Sequence, residues 1–233
     1  MTSSRRALPV FLRPGDPVRF PDPRGYDRDG LVAVGGDLAP ERLLGAYGSG
    51  VFPWYGAGDL PLWWSPDPRG CFVDGRLHVS RSMGKVLRRG GFRLTWNHAF
   101  AAVMEGCAER REDGTWIHQE MLEAYARLHT LGDAHSLEVW TGDDLVAGIY
   151  GVQVGGMFAA ESKFHRQTDM SKVALVALVR SLARAGVALI DVQFATGHLR
   201  SLGAITLGRR EYLDRLDVVR TARVDLSELR PTV

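Results

Sequence analysis

Lysine is nearly missing from this chain. Lys85, Lys163 and Lys172 are the only three in 233 residues. Cationic charge is therefore carried by arginine, whose planar guanidinium favours bidentate contact with phosphate or carboxylate. Genome composition can produce the same bias, so both readings stay open. Cysteine is as scarce. Cys71 and Cys107 form no CxxC, which fits a reducing compartment better than a disulfide framework. No HExxH or cysteine cluster with metal spacing occurs, so no zinc site is expected. There is no GxSxG elbow and no P-loop, and Gly35-Gly36 and Gly155-Gly156 match no nucleotide fingerprint. The formal net charge is only +2, too small to argue for nucleic acid by itself. The longest apolar run, Val173 to Val179, ends at Arg180 and is too short to span a bilayer. The first residues, MTSSRRALPVFLRPGDP, hold no apolar stretch of signal-peptide length. A soluble, cytoplasmic protein with no membrane partner is the expectation.

What is present suffices for a sizeable core. Hydrophobic residues make up 45% and charged residues 24%, as in ordinary globular chains, and the length allows one domain plus a smaller one. Residues 1–67 form a distinct region rich in Pro, Gly and Trp. Pro9, Pro14, Pro17, Pro21 and Pro23 work against a long early element. Asp37 is a candidate N-cap and Pro40 suits the first turn of a short helix carrying Leu43, Leu44 and Tyr47, which Gly50 ends. Phe52 to Tyr55 and Leu62 to Pro66 then read as rigid aromatic loops. The boundary is expected in SPDPR, Ser65 to Arg69, so that residues 68–233 form the second domain.

In that domain Ser80 caps a short basic helix on which Arg81, Lys85, Arg88 and Arg89 fall at i, i+4, i+7 and i+8, one face. Strand Phe92–Trp96, helix Ala99–Ala108, a charged loop ERREDGTW and helix Gln119–Leu131 follow. Ser136–Trp140, Leu145–Val154 and Met157–Phe164 read as a strand meander. Val173–Ala185 is an amphipathic helix, Val187–Phe194 a strand, and the remaining tail is weakly patterned. No internal repeat or low-complexity segment interrupts the order. The order suggests an α+β or α/β domain with a mixed central sheet, and α+β is the expectation.

Three polar residues stand where core is expected. Asp191 and Gln193 share one face of their strand by alternation, and Glu161 shares a face with Met157 and Ala159. A carboxylate inside a sheet is costly unless paired or functional. Pattern alone leaves open whether these side chains mark a site or face solvent. The same holds for Trp54, Trp63, Trp64, Trp116 and Tyr125, core aromatics or base-stacking faces. The basic helix is a solvated face or a phosphate patch.

Ten segments, in order and correctly spaced, then decide the comparison: GLVAVGGDLAPERLLGAYGSGVFPWY, LWWSPDPR, LHVSRSM, EGCAERREDGTWI, EAYARLH, AHSLEVW, YGVQVGGMFAAESKF, SKVALVAL, LIDVQ and SLGA…RREYL. With them the chain resembles the bacterial leucyl/phenylalanyl-tRNA–protein transferases from about Phe20 to Leu213. The resemblance implies a small N-terminal domain joined to an acetyltransferase-like (GNAT) domain. It implies transfer of Leu, Phe or Met from aminoacyl-tRNA to a protein with N-terminal Arg or Lys, by a monomer, with no cofactor and no metal. The product is a degradation signal. By resemblance, Asp191 orients and polarises Gln193, which contacts the attacking amine. Glu161 meets cationic substrate groups. Trp54 and Trp116 hold the terminal adenosine with Tyr47 and Tyr125 nearby, and Ile149, Phe158 and Leu178 wall the side-chain pocket. Arg81, Lys85, Arg88 and Arg89 grip the acceptor stem.

Lys163 stands where the family commonly has Met, and is expected to carry its charge outward. Two other readings compete. An acetyl-CoA-dependent acetyltransferase would show a [Q/R]xxGx[G/A] pyrophosphate turn, but the loop here is HRQTDMSK. A non-catalytic RNA-binding module would need the basic face and tryptophans without Asp191 and Gln193.

Overall fold

A computed structural model describes residues 7–109 and 116–233. The centre of the expected charged loop, residues 110–115, and the first six residues lie outside that description. In the N-terminal part, β1 (Val10–Leu12), β2 (Leu31–Gly35), β3 (Phe52–Pro53) and β4 (Leu62–Trp64) make a four-stranded sheet in the order β1-β2-β4-β3. The aromatic stretches expected as loops are thus partly strands. Pro53 is tolerated because β3 is an edge strand. Helix α1 (Pro40–Gly48) starts with Pro40 in its first turn, as expected. Asp37 is not its cap. It lies two residues before the true N-cap, Ala39, and its carboxylate instead takes N–H groups from Ala39, Gly15 and Arg42.

The rest of the chain builds β5 (Arg69–Val73), α2 (Arg81–Arg89), β6 (Arg93–Trp96), α3 (Phe100–Ala108), α4 (Gln119–Leu131), β7 (Ala134–Thr141), β8 (Asp144–Val154), β9 (Met157–His165), α5 (Met170–Arg184), β10 (Leu189–Gln193), α6 (Gly197–Ser201), β11 (Ile205–Leu207) and α7 (Arg209–Val219). Its strands form one mixed sheet in the order β11-β5-β10-β9-β8-β7-β6. All neighbours in it are antiparallel except β9 and β10, which α5 joins as a crossover. Ser80 caps α2 through Met83 N–H, and Gly132 ends α4 in the left-handed region, both as the sequence implied. The tail is more regular than its pattern: α6, β11 and α7 all form, and α7 buries Tyr212, Leu213 and Leu216.

Two cores sandwich the large sheet. On one face α5 buries nine residues, among them Leu175, Leu178, Val179 and Leu182, against Ile149, Phe158 and Ile190. Each such side chain taken out of water contributes about 1.5–3 kcal/mol. On the other face, side chains of α1, α3, α4 and α7 pack with Trp63 and Phe52 of the small sheet in one continuous core. The small sheet ends at Trp64 and the large one begins at Arg69, yet their apolar interior is shared. No described helix is long and apolar enough to cross a membrane.

Candidate active site

The site forms where β9 and β10 part. Their parallel pairing runs from Leu189 and Met157 to Asp191 and Ala159 and then stops, while β9 continues to His165. Two irregularities sit at that opening. On β9, Tyr150 of β8 faces Ser162 and Gly151 faces Ala160, so Glu161 is an extra, bulged residue. On β10 the register with β5 shifts between Asp191 and Gln193, and Gln193 has φ of 53°. Left-handed backbone is uncommon for a residue other than glycine, Asn or Asp, and such strain collects at functional sites. Small neighbours make both bulges possible. A Cβ on Gly70 would lie 2.4 Å from Ala195 N, and one on Gly151 2.2 Å from Ala159 O.

Asp191 explains how Gln193 keeps this conformation. Its Oδ1 accepts the Gln193 backbone N–H at 2.9 Å. The resemblance implied polarisation of Gln193; the contact is with its main chain, and fixes geometry. The carboxylate is fully buried and otherwise occupied. Arg69 donates from Nε at 2.9 Å and from Nη2 at 2.6 Å, and Tyr212 Oη donates at 2.9 Å. Arg69 is itself buried, lies against the Phe52 and Tyr212 rings, and donates to Gly50 O of the N-terminal part. Sequence reasoning passes over Arg69 and Tyr212. The signal for Arg69 is nonetheless present: a charge opening the apolar strand Arg69–Val73.

The Gln193 side chain takes another direction. Its Nε2 donates to Glu161 Oε1 at 3.3 Å. Glu161 Oε2 accepts from Tyr125 Oη at 3.4 Å, and Tyr125 Oη lies 2.5 Å from Tyr47 Oη. Burial, chiefly, pushes the Glu161 carboxyl up to about 8, with Asp191 adding and the Tyr47 hydroxyl and Arg69 opposing. Tyr47 and Tyr125 were expected beside an adenosine. Both are buried to 1% exposure or less, so neither offers a face for stacking; their hydroxyls serve Glu161.

Trp54 does offer a face, being 46% exposed. With Trp64 and Phe194 it walls a cleft of about 680 Å³ that also holds Arg28, Arg200 and Asp67. The cleft adjoins Gln193 through Phe194. Trp116 is half-buried on the shared core, near the start of α4. Its near neighbour His118 packs on Tyr55, next to Trp54. Ile149, Phe158 and Leu178 lie on the opposite, α5 side of the sheet and are buried. Lys163 is half-buried and lines a polar cleft with Glu109, His165, Ser171 and His198. On α2, Arg81, Lys85 and Arg88 line a cleft of about 610 Å³ with Arg180 of α5, whereas Arg89 does not.

This geometry can be set beside known proteins. A family profile described as leucyl/phenylalanyl-tRNA protein transferase matches residues 71–217, and the profile for its N-terminal domain matches residues 36–67. The chain belongs to this family. Among curated relatives, a leucyl/phenylalanyl-tRNA–protein transferase of Citrobacter koseri is 49% identical over 89% of both chains. One of Escherichia coli O1:K1 is 50% identical over the same shares. One of Shewanella baltica is 49% identical over 88% of this chain and 89% of its own. Among solved structures, a GCN5-related N-acetyltransferase from Kribbella flavida is 14% identical, with a TM-score of 0.36 over 61% of this chain and 57% of that one. The L-PGS structure from Bacillus licheniformis is 12% identical, with a TM-score of 0.40 over 72% and 53%. Glu161, Asp191, Gln193 and Tyr212 fall inside the stretch that the main family profile covers, and Arg69 lies just before it.

Proposed function

We propose that the chain transfers Leu, Phe or Met from aminoacyl-tRNA to the α-amino group of a protein beginning with Arg or Lys, in the cytoplasm, so marking that protein for degradation. The single observation that carries the reading is Gln193, a strained polar residue locked by a buried ion pair at the mouth between two diverging strands. The aminoacyl ester is already activated, so the enzyme's task is to position two substrates and assist loss of a proton. Gln193 holds the incoming amine. Glu161 faces its positive charge. Trp54 and Trp116 take the terminal adenosine, and the Arg81, Lys85 and Arg88 cleft takes backbone phosphates of the tRNA. Ile149, Phe158 and Leu178 are closed in the core on the α5 side, so a pocket for the transferred side chain there requires them to move apart when the aminoacyl group binds. The division into residues 1–67 and 68–233 follows these roles: the first part supplies Trp54 and Tyr47, the second the groups at the reacting atoms.

The test is direct. Purified protein is given labelled Leu-, Phe- and Met-tRNA in competition, an Arg-initiated peptide and no ATP. Labelled peptide is the expected product. Absence of transfer with correctly charged tRNA would overturn the reading.

A further inference from the structure

The acceptor's α-amine enters as an ammonium and must lose a proton before it can attack. Asp191 is badly placed to collect it. Both oxygens are engaged, by two Arg69 nitrogens, Tyr212 Oη and the Gln193 N–H, and none of its surface is exposed. Gln193 is an amide and no base. An amide that donates through Nε2 still has its Oε1 free to accept an N–H. The carboxylate on the Nε2 side of that amide is Glu161, at 3.3 Å. The bulge in β9 turns Glu161 to this position, and the residue as a whole is half-buried.

We propose that Glu161 accepts the proton of the attacking α-ammonium while Gln193 Oε1 holds that nitrogen in place. The inference rests on the aminoacyl transfer reading above. In the first step the ammonium gives one proton to the Glu161 carboxylate, leaving a neutral amine and a carboxylic acid. The amine lone pair then attacks the ester carbonyl carbon, and the C–O bond to the ribose breaks. The departing ribose oxygen takes the second proton from the nitrogen, so the products are an amide and a hydroxyl. Glu161 afterwards returns its proton to water.

The surroundings tune the carboxylate for this exchange. Tyr47 of α1, Tyr125 of α4, Tyr150 of β8, Arg69 of β5 and Asp191 of β10 all act on it or on its immediate neighbours. Burial and Asp191 raise its pKa to about 8. An α-amino group has an ordinary pKa of about 7.7–8.0. The two groups therefore titrate in the same range near neutrality, where general-base help is most effective.

Glu161→Gln keeps the size and the contact to Gln193 but cannot take a proton. Single-turnover transfer to an Arg-initiated peptide should fall about 10²–10⁴-fold near pH 7. It should recover towards the parent rate near about pH 9, where the free amine is already neutral. Tyr125→Phe is the second variant. Removing a hydroxyl that stabilises the carboxylate should move the acidic limb of the parent's pH–rate profile to higher pH. A Glu161→Gln rate within about threefold of the parent near neutrality, or a loss equal at both pH values, would overturn the proposal. So would an unmoved limb in Tyr125→Phe. Parent protein that transfers nothing overturns the transfer reading instead, which keeps the two failures apart.

Discussion

Arg69→Met isolates what the buried ion pair does. The substitution removes the Arg69 hydrogen bonds to Asp191 and to Gly50 O, and leaves a fully buried carboxylate with only Tyr212 Oη and the Gln193 N–H. Removing one partner of a buried pair costs about 3–5 kcal/mol, because the remaining charge is uncompensated. The stacking of the guanidinium over the Phe52 and Tyr212 rings adds about 0.5–2 kcal/mol. The stranded Gly50 carbonyl adds about 1–3 kcal/mol where it stays dry. A total of about 4.5–10 kcal/mol is a large share of the roughly 5–15 kcal/mol by which such a chain is stable. Urea unfolding, followed by tryptophan fluorescence with the slope held in view, measures it. The double variant Arg69→Met/Asp191→Leu should regain a substantial part of the loss, since an apolar pair of similar volume removes the stranded charge. It should not regain transfer activity, because nothing then holds Gln193 at positive φ. A single variant within about 1 kcal/mol of the parent would refute the reasoning. So would a double variant that is fully active.

Two further outcomes follow from other parts of the molecule. His135 is buried between Asn97 and Gln153, and burial lowers its pKa to about 4. The unfolded chain therefore binds the extra proton first. Stability should fall by up to about 3 kcal/mol as pH drops from about 6.5 to 4, and His135→Gln should flatten that slope in melts taken across the range. On α2, Arg81→Glu with Arg88→Glu should lower the salt dependence of tRNA binding by about one unit of slope for each phosphate no longer neutralised. Arg89→Glu should change it less, because Arg89 does not line the cleft; equal effects would return the helix to a merely solvated face.

The elements legible in the sequence are those whose pattern is local and long. Helix α5 spans fifteen residues with apolar side chains at 3.6 spacing, and β7 to β9 are long strands joined by tight turns at Gly142 and Gly155. The elements not legible are short ones that exist through pairing. Strand β3 has two residues and β4 three; β4 is held between β2 and β3, and β3 takes its extended form from β4 alone. Helix α7 reads as charged, yet Arg209 at its start donates to the carbonyls of Pro23 and Tyr26, and Arg24 bridges back to Asp214 and Asp217. No window of the chain holds both ends of these interactions.

The same distinction runs through the site. Glu161, Asp191 and Gln193 are visible in the sequence as polar residues in apolar strands. Strand alternation, however, assumes regular pairing, and both Glu161 and Gln193 sit at register shifts. A bulge is a property of two strands, so one strand's sequence cannot announce it. The residues that support the site are more distant still: Arg69 is 122 positions from Asp191, and Tyr47 is 78 from Tyr125. Each supporting pair joins different layers. Tyr47 comes from α1 and Tyr125 from α4, while Arg69 opens β5 and Tyr212 belongs to α7. The core shared by the two sheets therefore does two jobs at once. It buries apolar surface, and it brings hydroxyls to Glu161 on one side and a guanidinium to Asp191 on the other. Loosening that core at a position far from the cleft, such as Trp63, should therefore disturb the Gln193–Glu161 geometry before it disturbs α5, whose packing lies on the opposite face.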